Sequence, residues 1–229
     1  MGEFKKYALI VAGGKGLRMG GDVPKQFQIL NGKPVLSYSI LSFLEAIPDI
    51  SIILVLPKVD MGYDVLKSVI KNYKEKFDIK LIQGGETRFN SVKNGLNTVY
   101  NDGIVFIHDG ARPLVSKELI HRCFEQALEW GSAIPAIKVS DSIRIIEENN
   151  TKPVNRDNLC IIQTPQTFRT ELILPAFETE YSAEFTDDAT VVEAFGRKVY
   201  LIEGEKRNIK ITTPDDMIIA SAYLQKLKS

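Results

Sequence analysis

A chain of 229 residues is long enough for one compact domain, and its 44% hydrophobic content excludes a disordered chain. Its 29 lysines and arginines balance 29 aspartates and glutamates, so no general positive field draws it to nucleic acid or to an anionic membrane. Cys123 and Cys160, the two cysteines, lack the spacing of a disulfide framework or a zinc site.

The first predicted strand is Tyr7–Ala12. It is too short for the apolar core of a signal peptide, and Ile50–Leu56 is too short to span a membrane, so a soluble cytoplasmic protein is expected. Directly after that strand comes "GGKGLRMGGDVPK". It is no Walker loop, because no Gly-Lys-Ser/Thr triplet occurs. It also misses the dinucleotide fingerprint, since Met19 stands at the third glycine position and the second strand ends Val55-Leu56-Pro57 without an acid. What it offers is a flexible backbone at Gly13, Gly14 and Gly16, with Lys15, Arg18 and Lys25 close by. A ligand-free turn is the plain alternative. Three cations within eleven residues favour a polyphosphate cradle.

Pro34 can open a helix running to about Ala46, followed by strands at Ser51–Leu56, Lys80–Gln83, Ile104–His108 and Ala133–Val139. Between them the spacing predicts helices over Val65–Phe77, Asn90–Val99 and Ser116–Trp130, the last with Gly131 as its C-cap. Such alternation implies an α/β fold, a mostly parallel twisted sheet with helices on both faces. After Val139 the pattern changes. Asp141–Ile146 alternates, "EENNTKP" turns, and alternation resumes weakly from Val154. Residues 139–160 therefore read as a β-arm inserted in a single domain of residues 1–229. Whether the arm is a dimer contact or an ordinary surface hairpin stays open at this point. Helices follow at Thr170–Thr179, shortened or kinked by Pro175, and at Asp187–Phe195, stopped by Gly196. A strand over Lys198–Glu203 and a helix over Pro214–Lys226 complete the series.

The polar clusters fall just beyond predicted strand ends, where ligands bind in open parallel sheets. Asp109 follows its strand directly and suits magnesium, which takes one or two carboxylates together with phosphate oxygens. The alternative, an Asp capping the Ser116 helix, is opposed by the intervening Pro113 and Leu114. His108 reads as a strand-end residue rather than a base, and His121 as structural or surface. No GxSxG elbow is present, so covalent catalysis has no candidate.

Taken together, "AGGKGLRMG" with "PKQF", "GGETRFNSVKNGL", "HDGARP", "NRDNLCIIQTPQTF", "FTDDATVVEAFG" and "NIKITTPDD" resemble, in order and from about Lys6 to Leu224, the 2-C-methyl-D-erythritol 4-phosphate cytidylyltransferases of non-mevalonate isoprenoid synthesis. The resemblance implies a Rossmann-like nucleotidyltransferase fold with a protruding arm. The implied reaction is attack of a polyol phosphate oxygen on the α-phosphorus of CTP, with release of pyrophosphate. It implies catalytic roles for Arg18, Lys25 and Lys210, and nucleotide binding by Ala12, Gly13, Gly14, Gly16, Gly85, Glu86, Arg88 and Ser91. Asp109 would hold Mg2+ and face the polyol. Arg112, Ser142, Arg156, Thr164 and Thr186 would hold the polyol phosphate, with Ser142 and Arg156 reaching the partner of a homodimer.

Three positions depart from the family's usual residues: Glu86 for aspartate, Ser142 for threonine and Cys160 for tryptophan beside the arm. The rivals are a ribitol 5-phosphate cytidylyltransferase, a sugar-phosphate nucleotidyltransferase using UTP or GTP, and a non-catalytic nucleotide-binding regulator. The last is opposed by Arg18, Lys25, Asp109 and Lys210, since a sensor has no transition-state charge to stabilise.

Overall fold

A computed structural model describes residues 4–13, 23–57, 78–100, 102–148 and 150–226. Lys15, Arg18, Gly14, Gly16 and the helix expected over 65–77 lie outside the described residues. In chain order the elements are β1 (Lys5–Val11), the short pair β2 (Ile29–Leu30) and β3 (Lys33–Pro34), α1 (Val35–Ala46), β4 (Ser51–Leu56) and β5 (Ile79–Gln83). Then come α2 (Arg88–Leu96), β6 (Gly103–Asp109), α3 (Lys117–Trp130), β7 (Ser132–Lys138), and the hairpin β8 (Ile143–Glu147) with β9 (Asn150–Val154). The chain closes with β10 (Cys160–Ile162), β11 (Gln166–Arg169), α4 (Thr170–Ala176), α5 (Asp188–Ala194), β12 (Leu201–Glu203) and α6 (Pro214–Lys226).

Among the described residues the main sheet has eight strands, in the order β10-β7-β11-β6-β1-β4-β5 with β12 beside β7. Strands β6, β1, β4 and β5 run parallel, as does the β7–β12 pair, whereas β11 is antiparallel to both its neighbours. The expected α/β architecture is thus present as a mixed, mostly parallel sheet. Side-chain alternation divides its strands between two cores. Ala8, Ile10, Ile52, Leu54 and Phe106 face α1 and α3, while Leu9, Ile53, Val55, Val105 and Ile107 face α2, α4 and α5.

Local signals explain the boundaries. Helix α2 begins two residues before the expected Asn90, because the Thr87 hydroxyl accepts the Asn90 N–H at 3.1 Å. Ser116 caps α3 in the same way, accepting Leu119 N–H at 3.0 Å, and Gly131 ends it at φ 87°. Asp187 and Thr190 form a reciprocal capping box that starts α5. Helix α4 stops at Ala176, earlier than Thr179, with Pro175 in its last turn. The strand expected over 198–203 is trimmed to Leu201–Glu203, and Thr151–Pro153, expected in a turn, instead pair along β9. Among the described residues no helix is long and apolar enough to cross a membrane.

Candidate active site at the mouth of the sheet

Strand order reverses at β1, which pairs with β4 on one side and β6 on the other. A crevice opens outside the carboxyl ends of strands at such a point. Val11 and Asp109, the last residues of β1 and β6, are register partners, so the segment after β1 starts beside Asp109. Because β11 runs antiparallel to β6, its leading residues, Thr164 included, reach the same edge.

Asp109 is the centre of a charged cluster. Its Oδ1 accepts Arg88 Nε at 3.3 Å, and its Oδ2 lies 2.8 Å from Lys210 Nζ and 3.7 Å from Arg112 Nε. Burial alone would raise its pKa, but Arg88, Lys210 and Arg112 outweigh burial and hold the carboxyl far below the usual carboxylate range. Arg88 also grips Asp188 through two parallel bonds, Nη1 to Oδ1 at 2.9 Å and Nη2 to Oδ2 at 2.7 Å. Burial pushes the Asp188 carboxyl upward against the pull of Arg88. Three cations against two carboxylates leave these five groups with a net charge of +1, which favours an anionic ligand.

The nucleotide-side residues form a second wall. Ser91 Oγ accepts Gly85 N–H at 3.1 Å and donates to Thr87 O at 2.9 Å, which pins the "GGET" loop over the start of α2. Gly85 admits no side chain, because a Cβ there would stand 2.4 Å from Asn90 Cβ. A methyl group on Gly13 would stand 3.2 Å from Ser91 Oγ, so this loop and the β1 loop are neighbours. Glu86 is exposed. Lys25 lies in a 3-10 turn whose next residue, the buried Gln26, donates from Nε2 to Ala12 O at 2.6 Å. That bond ties Lys25 to the end of β1.

On the far side, Arg112 donates from Nη1 to Asn208 O at 2.8 Å, and Asn208 donates from Nδ2 to Thr164 O at 2.8 Å. Gln163 clamps the Glu205 backbone, donating from Nε2 to its carbonyl and accepting its N–H on Oε1, at 2.8 and 3.0 Å. These bonds place the "NIKI" segment so that Lys210 meets Asp109. Thr186 is exposed just ahead of α5. Ser142 and Arg156 are exposed on either side of the β8–β9 hairpin, where Arg156 Nη1 donates to Ser140 O at 2.6 Å. The structure thus brings together Ala12, Gly13, Lys25, Gly85, Arg88, Ser91, Asp109, Arg112, Thr164 and Lys210 on one edge. Asp188, Gln26, Gln163 and Asn208 were not singled out from sequence. "TDDA" placed Asp188 only as a helix opener, and neutral amides carry no charge signal.

Among the described residues no three His, Cys, Asp or Glu side chains converge as a metal cage. Asp109 offers one carboxylate whose oxygens already meet Arg88 and Lys210. That donor set fits a magnesium ion carried in on phosphate oxygens, not one held by protein alone. Cys123 is buried, and burial pushes its thiol up to about 12, so it offers no nucleophile at neutral pH.

His108 is fully buried, and burial lowers its pKa from the ordinary 6.5 to about 4. The unfolded chain therefore takes up this proton near pH 6.5, whereas the folded protein resists until about 4. Stability from this residue is complete above pH 6.5 and declines as pH falls toward 4, by ~1.4 kcal/mol per unit. Urea unfolding at pH 7.5 and 5.5 should show wild type losing roughly 1 kcal/mol more than His108→Asn. Equal losses would contradict this.

Comparison with known proteins agrees with the geometry. The profile of the family described as 2-C-methyl-D-erythritol 4-phosphate cytidylyltransferase matches residues 7–226. The protein of that name from Bacteroides fragilis is 49% identical over 219 residues, covering 95% of this chain and 98% of its own. The crystal structure of a 4-diphosphocytidyl-2C-methyl-D-erythritol synthase from Anaerococcus prevotii superposes with a TM-score of 0.80 at 33% identity, over 97% of this chain and 99% of that one. The Francisella tularensis 2-C-methyl-D-erythritol 4-phosphate cytidylyltransferase gives 0.79 at 34% identity, over 95% and 99%.

Proposed function

This chain belongs to the 2-C-methyl-D-erythritol 4-phosphate cytidylyltransferase family and joins CTP to that polyol phosphate in isoprenoid synthesis, and we propose that the Asp109 cluster is where it does so. The observation that carries the proposal is the register of Val11 with Asp109. It sets the end of β1, to which Lys25 is tied through the Gln26–Ala12 bond, beside the Arg88–Asp109–Lys210 array.

A polyol phosphate oxygen attacks the α-phosphorus of CTP, the new P–O bond forms, and the bond to the β-phosphate oxygen breaks to release pyrophosphate. No protein atom bonds covalently, so the catalytic task is positioning and charge stabilisation. Arg18 and Lys25 face the charge that grows on the α-phosphoryl oxygens. Ala12, Gly13, Gly14 and Gly16 follow the triphosphate with backbone N–H groups, and Gly85, Glu86, Arg88 and Ser91 line the cytosine side. Asp109 orients Lys210 and Arg112 toward the second substrate. Asp109 would also give one oxygen to Mg2+, which would neutralise triphosphate charge. We place the enzyme in the cytoplasm, since both substrates are charged and do not cross membranes unaided.

The arm completes the proposal. A two-stranded hairpin alone is marginal in water, yet Ile145 and Ile146 are 53% and 83% exposed on it. We assign residues 139–160 to a homodimer contact that carries Ser142 and Arg156 to the partner's polyol phosphate, with Arg112, Thr164 and Thr186 completing that pocket from their own chain. Arg156→Ala is expected to raise KM for methylerythritol phosphate at least tenfold with kcat nearly unchanged, as for a contact made equally in ground and transition states. An unchanged KM, or a purely monomeric protein in equilibrium sedimentation, would remove the shared site.

A further inference from the structure

His108 lies beneath the crevice, fully buried, with its ring edge against Phe43 at 5.4 Å between centroids. Its Nε2 is 3.2 Å from Arg112 O, and its Nδ1 is 3.1 Å from Thr164 Oγ1. Arg112 O is a carbonyl that can only accept, and it also takes the Ser39 hydroxyl at 3.1 Å. Nε2 must therefore carry the ring proton. Among the described residues no carboxylate oxygen bonds the ring, which is neutral in this buried place, so Nδ1 is bare and accepts the Thr164 hydroxyl hydrogen. Thr164 Oγ1 in turn accepts the Asp109 N–H at 3.0 Å. One lone pair on Oγ1 remains, and no hydrogen.

We propose that His108 is a positioning residue that makes the Thr164 hydroxyl an acceptor only, so this wall of the site reads an O–H of the polyol and not a phosphate oxygen. A phosphate oxygen at Thr164 would face a lone pair and be repelled. A polyol hydroxyl would donate to it. The proposal rests on the reaction proposed above and narrows it, since Thr164 leaves the group of phosphate ligands and joins the polyol-hydroxyl contacts. It also ties the Asp109 backbone to the same bonded chain, so the carboxylate and the hydroxyl are positioned together.

The direct test is the imidazole 15N spectrum of the labelled protein at pH 7.5. The two histidines are told apart by His121→Gln. A neutral His108 with protonated Nε2 and bare Nδ1 is expected. A proton on Nδ1, alone or on both nitrogens, overturns the proposal.

The functional arm uses His108→Leu, which removes the acceptor, and His108→Asn, whose Oδ1 falls near the position of Nδ1. The leucine variant is expected to raise KM for methylerythritol phosphate about tenfold, with KM for CTP unchanged, and asparagine to restore most of the loss. Equal impairment of both variants, or a KM for CTP that rises in step, counts against it. If leucine prevents folding, the asparagine variant and the spectrum still decide. Lack of turnover in the unsubstituted protein would strike at the reaction itself, leaving the spectrum to judge the tautomer.

Discussion

Lys25→Ala is expected to lower kcat by roughly two to three orders of magnitude, the scale for removing one preorganised charge from a developing oxyanion. The affinity for CTP should fall only severalfold, because the ground-state triphosphate has other partners in the loop backbone. Position is the reason. Lys25 stands in a short turn held to the end of β1 by the Gln26–Ala12 bond, and β1 ends beside Asp109. Stopped-flow turnover with an independent CTP titration separates the two effects. A variant that loses CTP affinity and kcat/KM equally, with kcat intact, would make Lys25 a simple binding residue.

Arg88→Ala should cost both stability and activity. It strands Asp188, which is 1% exposed and has Arg88 as its bidentate partner, and breaking such a buried pair destabilises by about 3 kcal/mol or more. It also removes one of the cations that hold Asp109 ionised. Replacing both partners by apolar residues, Arg88→Met with Asp188→Leu, leaves no buried charge unpaired and should recover most of the stability in urea unfolding. Turnover should stay low, because Asp109 still lacks Arg88. Full activity in the double variant would show that the ion pair serves only the fold.

The centre of the parallel half was legible because β4 and β6 are mostly β-branched and apolar residues buried on both faces. Ser51–Leu56 matches its predicted limits, and β6 and β7 lie within a residue of theirs. Strand β11 was missed. It has four residues, Gln166, Thr167, Phe168 and Arg169, and one apolar side chain among them shows no period. Yet that strand brings Thr164 to the same edge as Asp109, so the proposed polyol side of the site depends on pairing that no local pattern announces.

Charged residues were legible for what they are, and less so for whom they meet. Asp109, Arg112 and Lys210 come from one short motif and another about a hundred residues later, and the fold brings both cations within 4 Å of the Asp109 carboxylate. Arg88 was assigned to the base on motif position, whereas three of its N–H groups go to Asp109 and Asp188. Nothing in "GGETR" or "TDDA" alone predicts that pairing. The relay from Asp109 through Thr164 to His108 is equally silent in sequence, because its direction follows from atoms and lone pairs.

Pyrophosphate release with CTP and magnesium, offering methylerythritol 4-phosphate and ribitol 5-phosphate separately, tests the central claim most directly. The account predicts release with methylerythritol 4-phosphate and little or none with ribitol 5-phosphate, and loss of that release in Lys25→Ala. Release with ribitol 5-phosphate alone, or silence with both, would contradict it.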